Sequence, residues 1–163
     1  MATSYDTIIE RFIPTVAEYA ILDMDDENRK DMLIPYLISA STEFNSVCIY
    51  DLTERDDAVQ EFTADLCDEE IEILVDLMRV AWLKHKLYNS EKLRNGMSTK
   101  DYSVFCPANL LAEIRETYID AREAANNRLV DYTYTHNRET IARLSKKNGN
   151  YIFIRLEFII SIY

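Results

Sequence analysis

Glycine is nearly absent from this chain: 163 residues contain 2, at Gly96 and Gly149, together with only 3 prolines. A phosphate-cradling loop needs clustered glycines, so that route to nucleotide chemistry is closed. A many-stranded sheet needs frequent turn punctuation, so the same scarcity favours a mostly helical fold. Histidine and cysteine are also few. Cys48, Cys67, His85, Cys106 and His136 stand singly, with no C-x-x-C and no H-x-x-x-H, and no metal or other cofactor is expected. Three cysteines without framework spacing read as free thiols in a reducing compartment. No stretch approaches the roughly 20 apolar residues of a membrane span. The N-terminal residues lack the basic and apolar regions of a signal peptide, so synthesis in the cytoplasm, with no membrane contact, is the expectation.

What is present suits one globular domain. Apolar residues make up 48% and charged residues 29%, enough to build a core without staples. A first helix is expected from Tyr5 to Ala20, capped by Ser4 or Thr3, with Ile8, Ile9, Phe12, Ile13 and Val16 on its apolar face and a kink at Pro14. Asp23–Asp26 suits a helix N-terminus, because the helix dipole favours negative charge there. The helix that follows should reach Phe44, bury Met32, Leu33, Tyr36, Leu37 and Ala40, and bend at Pro35. Val47–Tyr50 reads as a short strand, and Asp51–Gln60 as a polar loop.

Asp65–Glu70 announces the clearest helix. Ile71, Leu74, Val75, Met78 and Trp82 form one stripe, while Ile73, Leu77, Val80 and Leu83 form another. A helix apolar on so much of its circumference is the central one of a bundle. Lys84, His85 and Lys86 mark its expected C-terminal end, and Asn95-Gly96 a turn. Ser98 and Asp101 suggest a short helix. Pro107 then opens a long final helix to about Tyr134, with Leu110, Leu111, Ile114, Tyr118, Ala121, Ala125 and Leu129 inward. Its Glu116, Asp120, Glu123, Arg115, Arg122 and Arg128 read as a surface laced with weak ion pairs.

Catalytic chemistry is poorly served. Asp23, Asp25 and Glu27 suggest a calcium loop, but the glycine position falls on Asn28 and the bidentate glutamate position on Ile34. Cys67 near a helix N-terminus would have a lowered pKa, but Asp68-Glu69-Glu70 oppose it and no spacing supports a Cys67–His85 pair. Asp56-Asp57 and Glu69-Glu70 sit in polar windows and read as solvated surface. The chain is therefore not expected to be an enzyme. Lys84, Lys86, Lys92, Arg94 and Lys100 form a modest basic zone in an acidic protein, too little for tight phosphate binding.

The net charge of -11 is unevenly spread: residues 1–76 hold 20 acidic and 4 basic side chains, while residues 77–163 hold 9 and 14. Two readings follow. These are oppositely biased solvated faces, or they are the two surfaces of head-to-tail packing between identical subunits. After Lys146–Asn150 the character changes. Tyr151, Ile152, Phe153, Ile154, Leu156, Phe158, Ile159, Ile160, Ile162 and Tyr163, interrupted by Arg155, Glu157 and Ser161, read as an apolar β-strand. The strand pairs with Val47–Tyr50, docks on the helices, or is an arm that adds a strand to a partner.

The order of features resembles the head–tail connector (neck or adaptor) proteins of tailed bacteriophages. The resemblance rests on Asp65-Leu66-Cys67-Asp68-Glu69-Glu70-Ile71 continuing to Leu77-Met78-Arg79-Val80-Ala81-Trp82-Leu83, on Met97-Ser98-Thr99-Lys100-Asp101-Tyr102-Ser103, and on the helix from Pro107. It spans residues 5–135 and is one of pattern. It implies a helical connector domain over 1–147 and an apolar C-terminal arm over 148–163. It also implies a ring of about twelve subunits in the virion, assembled in the host cytoplasm. The implied partners are the portal protein, bound through the C-terminal segment, a further neck or tail protein, and DNA passing through a central channel without sequence-specific binding. The expected fold is mainly α, a helical bundle with a long central helix, a long C-terminal helix and a β-strand arm. The rival expectations are an acidic helical inhibitor that mimics DNA, based on the acidic half, and a metal-dependent enzyme.

Overall fold

Residues 71–83 are apolar around most of a helical circumference, and they form the hub. The computed structural model describes residues 2–16, 21, 23–96 and 108–148. Among them are four helices, α1 (Tyr5–Val16), α2 (Asp26–Phe44), α3 (Asp68–Gly96) and α4 (Ala108–Asn148). A small antiparallel sheet is built from β1 (Thr3–Ser4), β2 (Arg55–Asp56) and β3 (Glu61–Phe62), in the order β1-β3-β2. The helix α3 packs against each of the other three, and Ile71, Ile73, Leu74, Val75, Leu77, Met78, Val80 and Trp82 are all buried along it. The expected central helix is this one, but it runs on past Lys86 to Gly96.

The helix starts follow their chemistry. Ser4 Oγ accepts from the Asp6 amide at 3.3 Å and caps α1, whose Tyr5, Ile8, Ile9 and Phe12 are buried. Thr3 is not the cap: its hydroxyl donates to Ala64 O at 2.9 Å and accepts from the Leu66 amide at 2.8 Å, tying β1 to the entry of α3. Asp25 caps α2 through the Asn28 amide and side chain, and these bonds hold its carboxyl below the usual carboxylate range. The helix α2 passes through Pro35, where a kink was expected, and runs on to Phe44.

Three expectations are corrected. Val47–Tyr50 is a turn after α2 rather than a strand. Asp51–Gln60 is not wholly loop, because β2 and β3 pair through Arg55↔Phe62 and Asp56↔Glu61. Strands of two residues carry no readable alternation, and burial of Phe62 against Tyr5 (ring centroids 4.9 Å apart) holds them instead. The final helix also continues past Tyr134 to Asn148, with non-helical backbone at His136 (φ -110°, ψ 17°). Thr133 and Thr135 turn their hydroxyls onto the carbonyls of Leu129 and Asp131, a back-bonding that bends helices.

The face that α4 buries is also shifted toward its C-terminal part. Ala125, Tyr132 and Thr140 are buried, whereas Leu110 is 39% and Ile119 54% exposed. Its arginines pair across to the neighbouring helices rather than along α4: Arg115 to Glu91, Arg122 to Glu43 and Arg128 to Asp76. The Met97–Ser103 run, Cys106, Pro107, the end of the first helix at Ala17–Ala20 and all ten apolar positions of the arm lie outside the described residues.

Truncation should separate hub from periphery. Leu74→Ala, at a fully buried position of α3, is expected to cost about 3 kcal/mol through lost burial and a residual cavity. Leu110→Ala is expected to cost less than about 1 kcal/mol. Urea titration followed by circular dichroism reads both.

Candidate functional site

Two places on the described chain hold polar groups together in a way that the core does not require. The first is a buried seam where α4 crosses the start of α3. Glu70, in the first turn of α3, is 1% exposed. One of its carboxyl oxygens accepts from the Cys67 amide at 2.9 Å, the return half of a capping box. The other accepts from the Tyr132 hydroxyl at 2.7 Å, and that hydroxyl accepts in turn from the Ile49 amide at 3.3 Å. Tyr132 is fully buried, edge-on to Phe44 at 5.1 Å and stacked on His136 at 4.3 Å.

The seam continues along the last turns of α4. The Thr140 hydroxyl donates to Val47 O at 2.8 Å. The Arg143 guanidinium donates to Asn45 O at 2.6 Å, to Asn45 Oδ1 at 2.9 Å and to Tyr50 O at 2.5 Å. Asn45 is the C-cap of α2, so a cation sits where the helix dipole is negative. The turn 45–50 is therefore fixed by α4. The end of α4 is fixed in the same way, close to where the apolar segment follows in sequence.

The second place is a groove of about 550 Å³ between α2 and α3, lined by Pro35, Tyr36, Ser39, Ala81, Lys84, His85 and Tyr88. The Tyr36 hydroxyl and His85 Nδ1 lie 3.0 Å apart, and His85 Nε2 lies 3.1 Å from Asn89 Nδ2. Tyr36 also stands edge-on to Trp82 at 5.2 Å. Lys86 lies 5.9 Å over Trp82 and Lys92 4.6 Å over Tyr88. Burial pushes Lys86 below its ordinary range. Of the basic zone read from sequence, Lys84 lines the groove and Lys92 covers the ring of its Tyr88. Arg94 has no described side chain, and Lys100 lies outside the described residues.

The other candidate residues are dispersed. Along α3, Cys67 and His85 are separated by about 27 Å at 1.5 Å per residue, so they form no pair. Burial raises the Cys67 thiol instead of the helix start lowering it. Asp25 is occupied as a cap. Asp56 and Asp57 hold the β2–β3 turn together, Asp56 through the Ala58 amide and Asp57 through Arg55 and the Tyr5 hydroxyl. Glu69 is exposed, but Glu70, expected on the surface with it, is buried. Cys67-x-x-Glu70 was the available signal, with cysteine where a capping box has serine or threonine. Among the described residues no three His, Cys, Asp or Glu side chains come close enough to hold a metal ion, and no helix is long and apolar enough to cross a membrane. No family model, curated protein or solved structure matches this chain.

The seam sets two expectations. Tyr132→Phe removes a hydroxyl on which Glu70 and the Ile49 amide both depend, and should cost about 1–3 kcal/mol by urea titration. Alkaline pH should destabilise the fold as well. Burial raises the Cys48 thiol from 9.0 to about 11. Burial, then the hydrogen bonds to Glu70 and Asp57, raises the Tyr132 and Tyr5 hydroxyls above their ordinary 10.0. Above about pH 9 the unfolded chain releases these protons while the folded chain keeps them, so stability falls as pH rises. Urea midpoints should be level near neutrality and drop above about pH 9, less steeply in Tyr132→Phe.

Proposed function

We propose that this protein is a structural, non-enzymatic virion component of a tailed bacteriophage: a neck protein that forms a ring beneath the portal, joins head to tail and lines the DNA channel. The observation that carries this reading is the tethering of α4. A rigid helical body grips its last long helix through Tyr132, Thr140 and Arg143. Shortly beyond that helix the sequence turns to the apolar run Tyr151–Tyr163. The run acts as a strand-forming arm that pairs with the portal or with a neighbouring subunit. Its reach is set by a fixed departure point. The long helices and the central α3 agree with the connector pattern, and the ring follows from repeating one subunit-to-subunit contact about an axis.

The DNA-mimic reading is less well served. A mimic needs carboxylates spaced along a surface like phosphates. Here Asp6 pairs with Lys30, Asp68 and Glu72 with Arg11, Glu43 with Arg122 and Asp76 with Arg128, while Glu70 is buried. The acidic half spends many of its charges on its own fold.

Truncation after Asn148 tests the proposal. The shortened chain is expected to keep its helicity and urea midpoint but to lose co-purification with the portal protein encoded in the same genome. Native mass spectrometry of the full-length pair should show a ring of about twelve copies on the portal. Retained portal binding without residues 149–163, unfolding on truncation, or monomers alone in the co-expressed pair would each overturn it.

A further inference from the structure

Two exposed features lie toward opposite ends of α3. At the N-terminal end sits the β2–β3 turn, Asp57–Gln60, with Val59 61% exposed at its tip. A single exposed valine needs no explanation. This one is held out on a braced turn. The Tyr5 amide donates to Gln60 O at 2.9 Å, and the Tyr5 hydroxyl donates to Asp57 at 2.9 Å. The Ala58 and Val59 amides both donate to Asp56 Oδ1, at 2.9 and 3.2 Å. Gln60 takes φ 61°, the left-handed region that non-glycine residues enter at a cost of about 1–2 kcal/mol. Glu54, Asp56, Asp57 and Glu61 surround the tip, and the one cation among them, Arg55, is bonded to Asp57.

At the other end is the groove between α2 and α3. Pro35, Tyr36, Ala81 and Tyr88 give it apolar walls, and Lys84 with His85 gives it a basic rim. The walls are set before anything binds, because Tyr36 is held by His85 and Trp82, and Lys92 lies over Tyr88. The tip offers an aliphatic side chain in an acidic stretch, and the groove an apolar cleft with Lys84 in its lining. The hairpin is tied to the entry of α3 through Thr3, which pairs with Phe62 and accepts from the Leu66 amide, and from Asp68 to His85 is about 25 Å along α3, so a chain does not fill its own groove.

We infer that the groove receives the β2–β3 tip of a second copy of this chain, with Val59 inserted between Pro35, Tyr36 and Tyr88 and the tip carboxylates facing Lys84. Tip and groove are different surfaces, so the contact is heterologous and each subunit uses both. Repeated about an axis, it closes a ring. The charge asymmetry of the chain then lies across the joint, acidic half to basic half, and steers the approach of subunits. The inference deepens the ring reading and rests on it.

The test uses two full-length variants at exposed positions, Val59→Glu in the tip and Lys84→Glu in the groove, each checked for unchanged helicity. Wild-type protein should appear in native mass spectra as species larger than dimers, and each variant alone as a monomer. An equimolar mixture should form one-to-one dimers, because the Val59→Glu chain keeps an intact groove and the Lys84→Glu chain an intact tip. Variants that assemble like wild type, a mixture that stays monomeric, or wild type that stays monomeric at millimolar concentration would overturn the contact. The neck reading is judged separately. Rings that persist in both variants sink the contact and leave that reading standing. Wild-type rings broken by both variants, but unable to bind the portal, sink the reading and leave the contact standing.

Discussion

A buried carboxyl that reaches two ways holds the arrangement of this molecule together. Glu70 closes the first turn of α3 through the Cys67 amide and binds α4 through the Tyr132 hydroxyl. An unpaired buried polar group would cost several times what a paired one contributes, so this geometry admits few alternatives. Tyr132 extends the constraint to the Ile49 amide and, by its ring, to Phe44. The start of α3, the end of α2, the turn between them and the middle of α4 are thereby set by one pair of side chains. Apolar packing along α3 supplies most of the stabilisation, but it is non-directional and would tolerate a sliding α4. The hydrogen bonds of the seam fix the register.

The same contrast explains what was legible in the sequence. Apolar stripes at helical spacing marked α3 as the hub, and capping chemistry marked the starts of α1 and α2, since each is a local pattern with a local cause. The sheet was not legible. Its pairing depends on Thr3 and Phe62, far apart in sequence, and its strands are too short for alternation. Val47–Tyr50 misled because β-branched and aromatic residues favour strands. Here Cys48 is buried and the Val47 carbonyl and Ile49 amide are taken by Thr140 and Tyr132 of α4. The last third of α4, after Tyr134, was missed for the converse reason: Tyr132-Thr133-Tyr134-Thr135-His136 is poor in helix propensity, and tertiary contacts carry the helix through it.

The groove was half visible. Lys84, Lys86 and Lys92 stood out as charges, but nothing local showed that Tyr36 of α2 would come to His85 and Trp82 of α3. Nor did the sequence show that Asp56 and Asp57 brace a turn. The groove comes from how α3 is surrounded, and α3 is surrounded as it is because its apolar face is too broad for one neighbour to cover. The breadth of that stripe, legible from the start, is thus the cause of the groove that was not.

Charge placement then limits how copies of the chain meet. Residues 1–76 carry the acidic excess, and in the fold much of it gathers at the hairpin and around the first turn of α3. The cations Lys84, Lys86 and Lys92 lie on the second half of the same helix. A side-by-side parallel pairing would set acidic end against acidic end, and like charges at an interface core are costly. An antiparallel twofold pairing removes that repulsion and uses up both tips and both grooves at once, which stops growth at two. A head-to-tail step with a rotation satisfies the charges equally well and leaves one tip and one groove open for the next subunit. In the proposed contact, closure into a ring depends on that rotation, which is set by the angle between the braced hairpin and the groove.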